Sequence, residues 1–176
     1  MFHLLRHKAL SNMVKPLVVL MSKRLLRYKD AMSDVNDFTN GGFKPLIADD
    51  KVNKKKAERI IVCSGQVYYD LLNERKVRNL EEQVAVIRVE RLYPFPVEEL
   101  HLELSKFEKA REFIWAQEEP YNQGAWLQVR DALDAALKDR LHKFTAASRP
   151  SAAAPACGTT TMHNEQLKQL LNNAFA

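Results

Sequence analysis

The sequence predicts an α/β fold, a mainly parallel, doubly wound sheet with helices on both faces, preceded by a short helix–strand segment. After residue 57, short apolar runs alternate with longer helical patterns, which is typical of a parallel sheet covered on both faces. The 176 residues can bury one good core and part of a second. Their 46% hydrophobic and 28% charged content is that of an ordinary globular domain.

The first third of the chain predicts too little structure to fold alone. FHLLRHKAL (2–10) has apolar residues at helical spacing, and KPLVVLMS (15–22) predicts a buried strand. One helix and one strand cannot bury their own apolar faces, so residues 1–38 are predicted to be an incomplete unit. Residues 39–57 have the composition of a linker because they combine a Gly-Gly pair, a proline and a run of three lysines.

Residues 58–176 predict four strands, each followed by a helix. The strands are predicted at 59–65, 84–96, 112–117 and 143–148, and the helices at 66–79, 97–107, 126–141 and 163–176. Ser64 is expected to cap the first of these helices, and Pro94 and Pro96 to end the second strand. Cys63, within IIVCSG, is expected to be a small core residue.

Charge is distributed unevenly along the chain. Residues 1–56 hold 12 Lys or Arg against 5 Asp or Glu, whereas residues 57–176 hold 15 against 17. A basic leader can be a targeting segment or a nucleic-acid arm, but here we favour a piece of folded protein whose contacts lie elsewhere. No nucleic-acid partner is predicted. No membrane partner is predicted either, because PLVVLM is far too short to span a bilayer.

The common catalytic and metal-binding fingerprints are missing. Five glycines do not form GxGxxG, GxxxxGK[ST] or GxSxG, which excludes dinucleotide, P-loop and hydrolase motifs. Cys63 and Cys157 lack the spacing of a zinc site or a disulfide scaffold, and the five histidines are scattered. Cys157, six residues before His163, is a weak nucleophile candidate. The sequence therefore predicts no catalytic residue and no metal ligand.

Two adjacent acids, Glu118 and Glu119, end the third predicted strand within WAQEEPYNQGAW. Such a pair can hold a proton at raised pKa for acid–base chemistry. Alternatively, the glutamates accept hydrogen bonds from a neighbouring helix or pair with an arginine, and this interpretation is favoured. Because the carboxyl ends of parallel strands meet at one edge, this loop is expected beside Ser64-Gly65 and the stretch from Arg88 to Pro96.

Five stretches together resemble a known family. They are CSGQVYYDLLNER, VAVIRVERLYPFP, WAQEEPYNQGAW, RPSAAAPACG and HNEQLKQLLNNAF. They resemble the C-terminal end of the thiamine-diphosphate-dependent decarboxylating component of 2-oxoglutarate dehydrogenase, and PLVVLMSKRLLR and FKPLIADD resemble the segment before it. The resemblance implies a remnant of the pyrimidine-binding domain at 1–38, a linker at 39–57 and a transketolase-like C-terminal domain at 58–176.

The resemblance also implies what this chain lacks and what it contributes. The motifs for thiamine diphosphate and magnesium lie upstream in the family, so no cofactor is expected to bind this chain, which alone is expected to be inactive. The implied partners are the upstream domains, a second copy in a homodimer and the lipoyl acyltransferase component. The implied location is the bacterial cytoplasm, with the mitochondrial matrix as the alternative.

The resemblance assigns roles to two groups of residues. The loop that contains Glu118, Glu119, Asn122, Gln123, Gly124 and Trp126 is expected at an inter-domain or inter-subunit edge, with the glutamates bonded to backbone amides or to Arg88 or Arg149. Family members also bind AMP or acetyl-CoA, and the candidate phosphate contacts are Ser64, Gly65, Arg88 and Arg149. The alternatives are a stand-alone interaction or effector-binding module, and a 2-oxoadipate dehydrogenase relative.

Overall fold

A computed structural model describes residues 1–138 and 141–176. The chain forms two compact units, Met1–Lys44 and Pro45–Ala176. The regular elements, in chain order, are the helices α1 (Phe2–Leu10), α2 (Val35–Thr39), α3 (Val67–Val77), α4 (Val97–Leu104), α5 (Trp126–Leu137) and α6 (Thr160–Phe175), and the strands β1 (Leu46–Ile47), β2 (Arg59–Cys63), β3 (Val84–Val89), β4 (Glu112–Pro120) and β5 (Phe144–Arg149).

The first unit confirms the predicted helix and contradicts the predicted strand. Residues 2–10 form α1, but residues 13–22 have no regular secondary structure. Val14, Val18 and Leu20 are 100%, 79% and 93% exposed. A strand is stable only when its backbone pairs with another strand, and none of the described residues of this unit forms one.

The second unit is a five-stranded sheet in the order β1-β3-β2-β4-β5. Strands β2 to β5 are parallel, and β1 alone runs antiparallel, against the end of β3. Among the parallel strands, β2 comes first, β3 is added on one side of it, and β4 and β5 are added on the other, so the predicted α/β class with a doubly wound sheet is confirmed.

Both faces of the sheet are covered by helices, which gives two cores. One core packs α4 and α5 on the sheet, and the other packs α3 and α6 on the opposite face. The inward residues predicted for α5 are buried: Trp126, Val129, Leu133, Ala136 and Leu137. Cys63 is fully buried as predicted, and burial raises the pKa of its thiol.

Several predicted boundaries are wrong in detail. Strand β3 ends at Val89, well before Pro94, because the chain leaves the sheet once β1 has paired with its last two residues. Ser64 does not cap α3, because Gly65 (φ 77°) turns the chain and Gln66 takes the N-cap position. Helix α5 ends at Leu137, and the part of its prediction at 139–140 lies outside the described residues.

Residues 45–57, predicted to be linker, belong to the folded second unit. Leu46 and Ile47 form β1 against Val89 and Arg88, and Val52 and Ala57 are buried in the core. The run of three lysines was part of the evidence for a linker, but one of them belongs to the folded unit: the Nζ of Lys54 donates to Glu103 Oε1 at 2.7 Å. Charged residues of this kind lie on the surface of folded structure as readily as in a tether.

A buried ion pair fastens this segment to the sheet. Asp49, 5% exposed, accepts from the guanidinium of Arg75, which is 6% exposed. The same carboxylate accepts from the backbone N–H of Val86 at 3.0 Å and of Lys51 at 3.2 Å. Arg75 also donates to the carbonyl of Val84 at 3.0 Å. The pair therefore joins three elements: the segment after β1, helix α3 and strand β3.

Within residues 1–138 and 141–176, no helix is both long enough and apolar enough to cross a membrane.

Candidate functional site

The candidate site lies at the carboxyl edge of the sheet, where the loops after the parallel strands meet. The direction in which successive strands are added to the sheet reverses at β2, because β3 lies on one side of β2 and β4 on the other. Loops at such a position form a crevice in open α/β sheets. The sequence therefore predicted correctly which loops come together.

Gln117 organises the loop between β4 and α5. It is 2% exposed, and its Oε1 accepts from the indole Nε1 of Trp115 at 3.1 Å and from the backbone N–H of Trp126 at 2.9 Å. Its Nε2 donates to the carbonyls of Pro120 at 3.0 Å and Gln123 at 2.7 Å. One amide side chain thus closes the loop and satisfies the first N–H of α5.

Gln117 was not among the functional residues predicted from the sequence, although it is the polar residue at the end of the predicted strand EFIWAQ (112–117). A buried amide must find partners, and a loop that leaves the sheet has free backbone groups to offer. A polar residue after four apolar ones, directly before a turn, was the signal available.

The paired glutamates point to different surroundings. Glu118 is half-buried, and its Oε2 accepts from the Nε2 of Gln66, the N-cap residue of α3, at 2.7 Å. Arg149 does contact Glu118, as predicted, but donates to its backbone carbonyl instead of its carboxylate. Glu119 is exposed and forms no ion pair with the described residues.

The carboxamides of Asn122 and Gln123 join this loop to the one after β5. Asn122 donates from Nδ2 to the carbonyl of Ala152 at 3.1 Å and accepts at Oδ1 from its N–H at 3.0 Å. Gln123 donates from Nε2 to the same carbonyl at 2.8 Å. These bonds lie within the unit, so the two amides shape the surface that a partner would meet.

Gly124 is required by both conformation and space. Its φ is +66°, and a Cβ there would lie 2.9 Å from Cβ of Glu119 and 3.0 Å from Nε2 of Gln117. We expect Gly124→Ala to destabilise the chain by about 1–3 kcal/mol, because it adds left-handed strain to a clash with the loop's organising amide. Urea unfolding of the full chain measures this.

Gly158→Ala is the matched control for that substitution. Gly158 has no heavy atom within 4 Å of the added Cβ and lies outside the left-handed region. We expect a change within about 0.5 kcal/mol. Equal stability of the two variants would show that the loop yields easily at Gly124.

The candidate phosphate contacts are not assembled into one site. Arg88 lies on β3 and Arg149 at the end of β5, three strand spacings or about 14 Å apart. The guanidinium of Arg88 stacks over the Tyr68 ring at 4.6 Å and donates to Tyr69 Oη at 2.9 Å. The prediction that these two arginines share a ligand with Ser64 and Gly65 gains no support from this geometry.

Arg149 is committed to internal contacts. It is 7% exposed, and besides the Glu118 carbonyl it donates to the carbonyl of Pro155 at 2.9 Å and to Sγ of Cys157 at 3.0 Å. Cys157 in turn contacts Oε1 of Gln166 at 3.1 Å. These contacts tie the loop after β5 to α6, and they account for Cys157 without a nucleophilic role.

A cleft of about 470 Å³ opens at this edge. Its walls come from the loop after β3, the end of β4 and the first two turns of α5. The lining residues are Ser64, Leu92, Tyr93, Pro94, Phe95, Trp115, Gln117, Glu119, Gly124, Ala125, Gln128, Val129 and Ala132. We call it the Glu119 cleft, because Glu119 is the one charged residue among the described residues that line it. Its volume is within the range of ligand pockets.

Among the described residues, no three His, Cys, Asp or Glu side chains lie together in a way that could hold a metal ion.

Comparison with known proteins places these features in context. A family model described as "2-oxoglutarate dehydrogenase C-terminal" matches residues 32–175. The chain is 47% identical over 176 residues to the 2-oxoglutarate dehydrogenase E1 component of Cupriavidus necator, covering 99% of this chain and 18% of that protein. It is 42% identical over 179 residues to the same component of Azotobacter vinelandii, with 99% and 19% covered.

A second group of relatives is named for a different substrate. The 2-oxoadipate dehydrogenase complex component E1 of Danio rerio is 42% identical over 177 residues, covering 99% of this chain and 19% of that protein. The chain thus spans about a fifth of the length of the curated relatives it matches.

Proposed function

The chain belongs to the 2-oxoglutarate dehydrogenase C-terminal family, and from this premise we propose that it serves as the assembly domain of a 2-oxoglutarate dehydrogenase E1 component. In the complete enzyme, the activity implied is oxidative decarboxylation of 2-oxoglutarate with succinyl transfer to a lipoyl group. The family resemblance stated from the sequence is confirmed by the model match and by the relatives.

The observation that carries the assembly role is the construction of the carboxyl-edge loop. Gln117 forms four hydrogen bonds within this loop, and Asn122 and Gln123 bond it to Ala152 in the loop after β5. A loop fixed in this way presents a preorganised surface, which lowers the entropic cost of binding a partner. A joint between domains or subunits needs such a surface, whereas an acid–base pair needs a substrate pocket with reactive groups.

The cofactor belongs to the remainder of the enzyme in this proposal. E1 components of this kind use thiamine diphosphate, which supplies the carbanion chemistry when bound, with magnesium. The present chain offers neither a metal-ligand cluster among its described residues nor a glycine-rich diphosphate motif. Alone it is proposed to be inactive, and to act with upstream domains, a second copy and the lipoyl acyltransferase component, in the bacterial cytoplasm or alternatively the mitochondrial matrix.

A 2-oxoadipate substrate is the second candidate, because two relatives named as 2-oxoadipate dehydrogenase components are 42% and 40% identical to this chain. The substrate-selecting residues lie upstream in the family, so the loops described above do not discriminate between the two acids. The AMP or acetyl-CoA effector hypothesis loses weight, because the donors of Arg149 are engaged internally.

Chimeric enzymes test the proposal. The chain would replace the matching region of the E1 components of Cupriavidus necator and Danio rerio. We expect dimeric chimeras that reduce an electron-acceptor dye with the host's own 2-oxo acid, whereas deletion of the region abolishes both properties. The host enzyme that retains more of its parental activity in the chimera is the one whose upstream domains fit this chain better.

Chimeras that form stable dimers but turn over neither acid would contradict the assembly role. So would turnover of 2-oxoglutarate by the 176-residue chain alone in the presence of thiamine diphosphate and magnesium.

A further inference from the structure

The Glu119 cleft has an unusual chemical lining. Three aromatic residues, Tyr93, Phe95 and Trp115, line this space together with the acidic residue Glu119. No lysine, arginine or histidine among the described residues lines it. Aromatic faces and a carboxylate both attract a positively charged group, and both repel an anion.

The charged groups near the cleft are already engaged elsewhere. Arg91 donates from Nε to the carbonyl of Pro94 at 3.0 Å and lies 3.7 Å from Glu99. Arg149 is turned towards the Glu118 carbonyl and Cys157.

The rim of the cleft is apolar and extends beyond it. Leu92 is 40% and Tyr93 91% exposed within the lining. Tyr121 and Leu127, on the adjoining loop and the first turn of α5, are each 45% exposed. A small molecule inside the cleft would leave most of these apolar side chains in water, whereas a polypeptide bound across the cleft would cover the cleft and the side chains around it. Exposed apolar side chains of this kind are common at protein-binding sites.

We propose that the Glu119 cleft binds a lysine or arginine side chain of another polypeptide. The cation lies against the aromatic rings and pairs with the Glu119 carboxylate, while apolar neighbours of that residue cover the rim. This inference rests on the proposed assembly function and names the chemistry of the partner at the joint. It is also the opposite of the phosphate-binding prediction for this edge.

Peptide titration of the full 176-residue chain tests the proposal. The probes are acetyl-Leu-Arg-Leu-amide, acetyl-Leu-Glu-Leu-amide and free n-butylguanidine, and the readout is the NMR shift of the Trp115 indole N–H and the Gly124 amide. We expect the arginine peptide to bind about tenfold more tightly than the glutamate peptide, and its affinity to fall as salt rises.

Two substitutions localise the binding. Glu119→Gln is expected to weaken the arginine peptide about threefold to fivefold, the effect of one exposed ion pair. Tyr93→Ala, at an exposed position, is expected to weaken it as well by removing a cation–π face. Glu108→Gln is the matched control, because this exposed glutamate precedes β4 at the opposite edge of the sheet, and no change is expected.

Three results would each overturn the proposal. They are equal affinity for the arginine and glutamate peptides, unchanged affinity of the Glu119→Gln variant for the arginine peptide, and affinity for n-butylguanidine equal to that for the arginine peptide. The last would indicate a site for a small cation. Active chimeras with no peptide binding would remove only this inference, whereas peptide binding with inactive chimeras would remove only the proposed function.

Discussion

Asp49→Ala is expected to lower the free energy of unfolding of the chain by about 3–5 kcal/mol, because it leaves the Arg75 guanidinium charged, buried and unpaired. The same substitution removes the acceptor of the Val86 N–H, which lies inside the sheet. A loss of this size is a large fraction of the stability of an ordinary domain. Urea denaturation followed by circular dichroism measures it.

The neighbouring residue provides the control. Asp50 has the same charge and is exposed, so Asp50→Ala is expected to change stability by no more than about 0.5 kcal/mol. Replacing both partners, Asp49→Leu together with Arg75→Met, is expected to recover much of the loss, because no buried charge then remains. Equal effects at positions 49 and 50 would show that the ion pair contributes little.

Gln117→Leu is expected to cost about 2–4 kcal/mol. The apolar side chain leaves the Trp126 N–H and the Trp115 indole without their acceptor, and each unsatisfied buried group costs about 1–3 kcal/mol. The carbonyls of Pro120 and Gln123 lose a donor, but part of the loop can turn towards water. We expect the loss in urea denaturation to be accompanied by altered fluorescence of the two tryptophans.

Gln83→Leu is the matched control, since Gln83 is exposed and its hydrogen bonds to the described residues involve only its backbone. We expect no change beyond about 0.5 kcal/mol there. A Gln117→Leu variant as stable as the parent chain would mean that the loop holds its shape without the amide. The assembly role would then rest on the other two amides.

Much of the sheet could be predicted from local pattern alone. Strands β2 and β3 and the first part of β4 are short apolar runs that alternate with helices, and α5 has its apolar residues at helical spacing. Such periodic signals depend only on neighbouring residues, so a single sequence carries them. The carboxyl-edge loops followed from the parallel order and needed no further information.

The errors arose where distant residues decide the structure. Strand β1 has two residues and no periodicity, and Asp49 is buried only because Arg75, twenty-six positions later, is there to pair with it. At 15–22 the opposite occurred: the apolar run is strand-like, but its unit supplies no strand to pair with. Pairing across the chain cannot be read from composition.

The candidate site shows the same division. The sequence identified the loop and the glycine that permits its turn, but predicted backbone amides or an arginine as the partners of Glu118 and Glu119. In the sheet β2 lies between β3 and β4, so Arg88 is separated from the Glu118 carboxylate by a strand, and Gln66 is nearer. Roles that depend on strand order and side-chain direction became visible only in the structure.

The short strand β1 and the Asp49 carboxylate have one more consequence, which concerns self-association. Together with the residue before β1, they occupy backbone groups along the outer side of β3, at Val86, Arg88 and Glu90, that would otherwise be open to a strand of another molecule. Exposed edges recruit foreign strands whatever their sequence, and short edge strands are a common safeguard against amyloid-like growth. Closing this side of the sheet therefore protects β3 from pairing with a strand of another molecule.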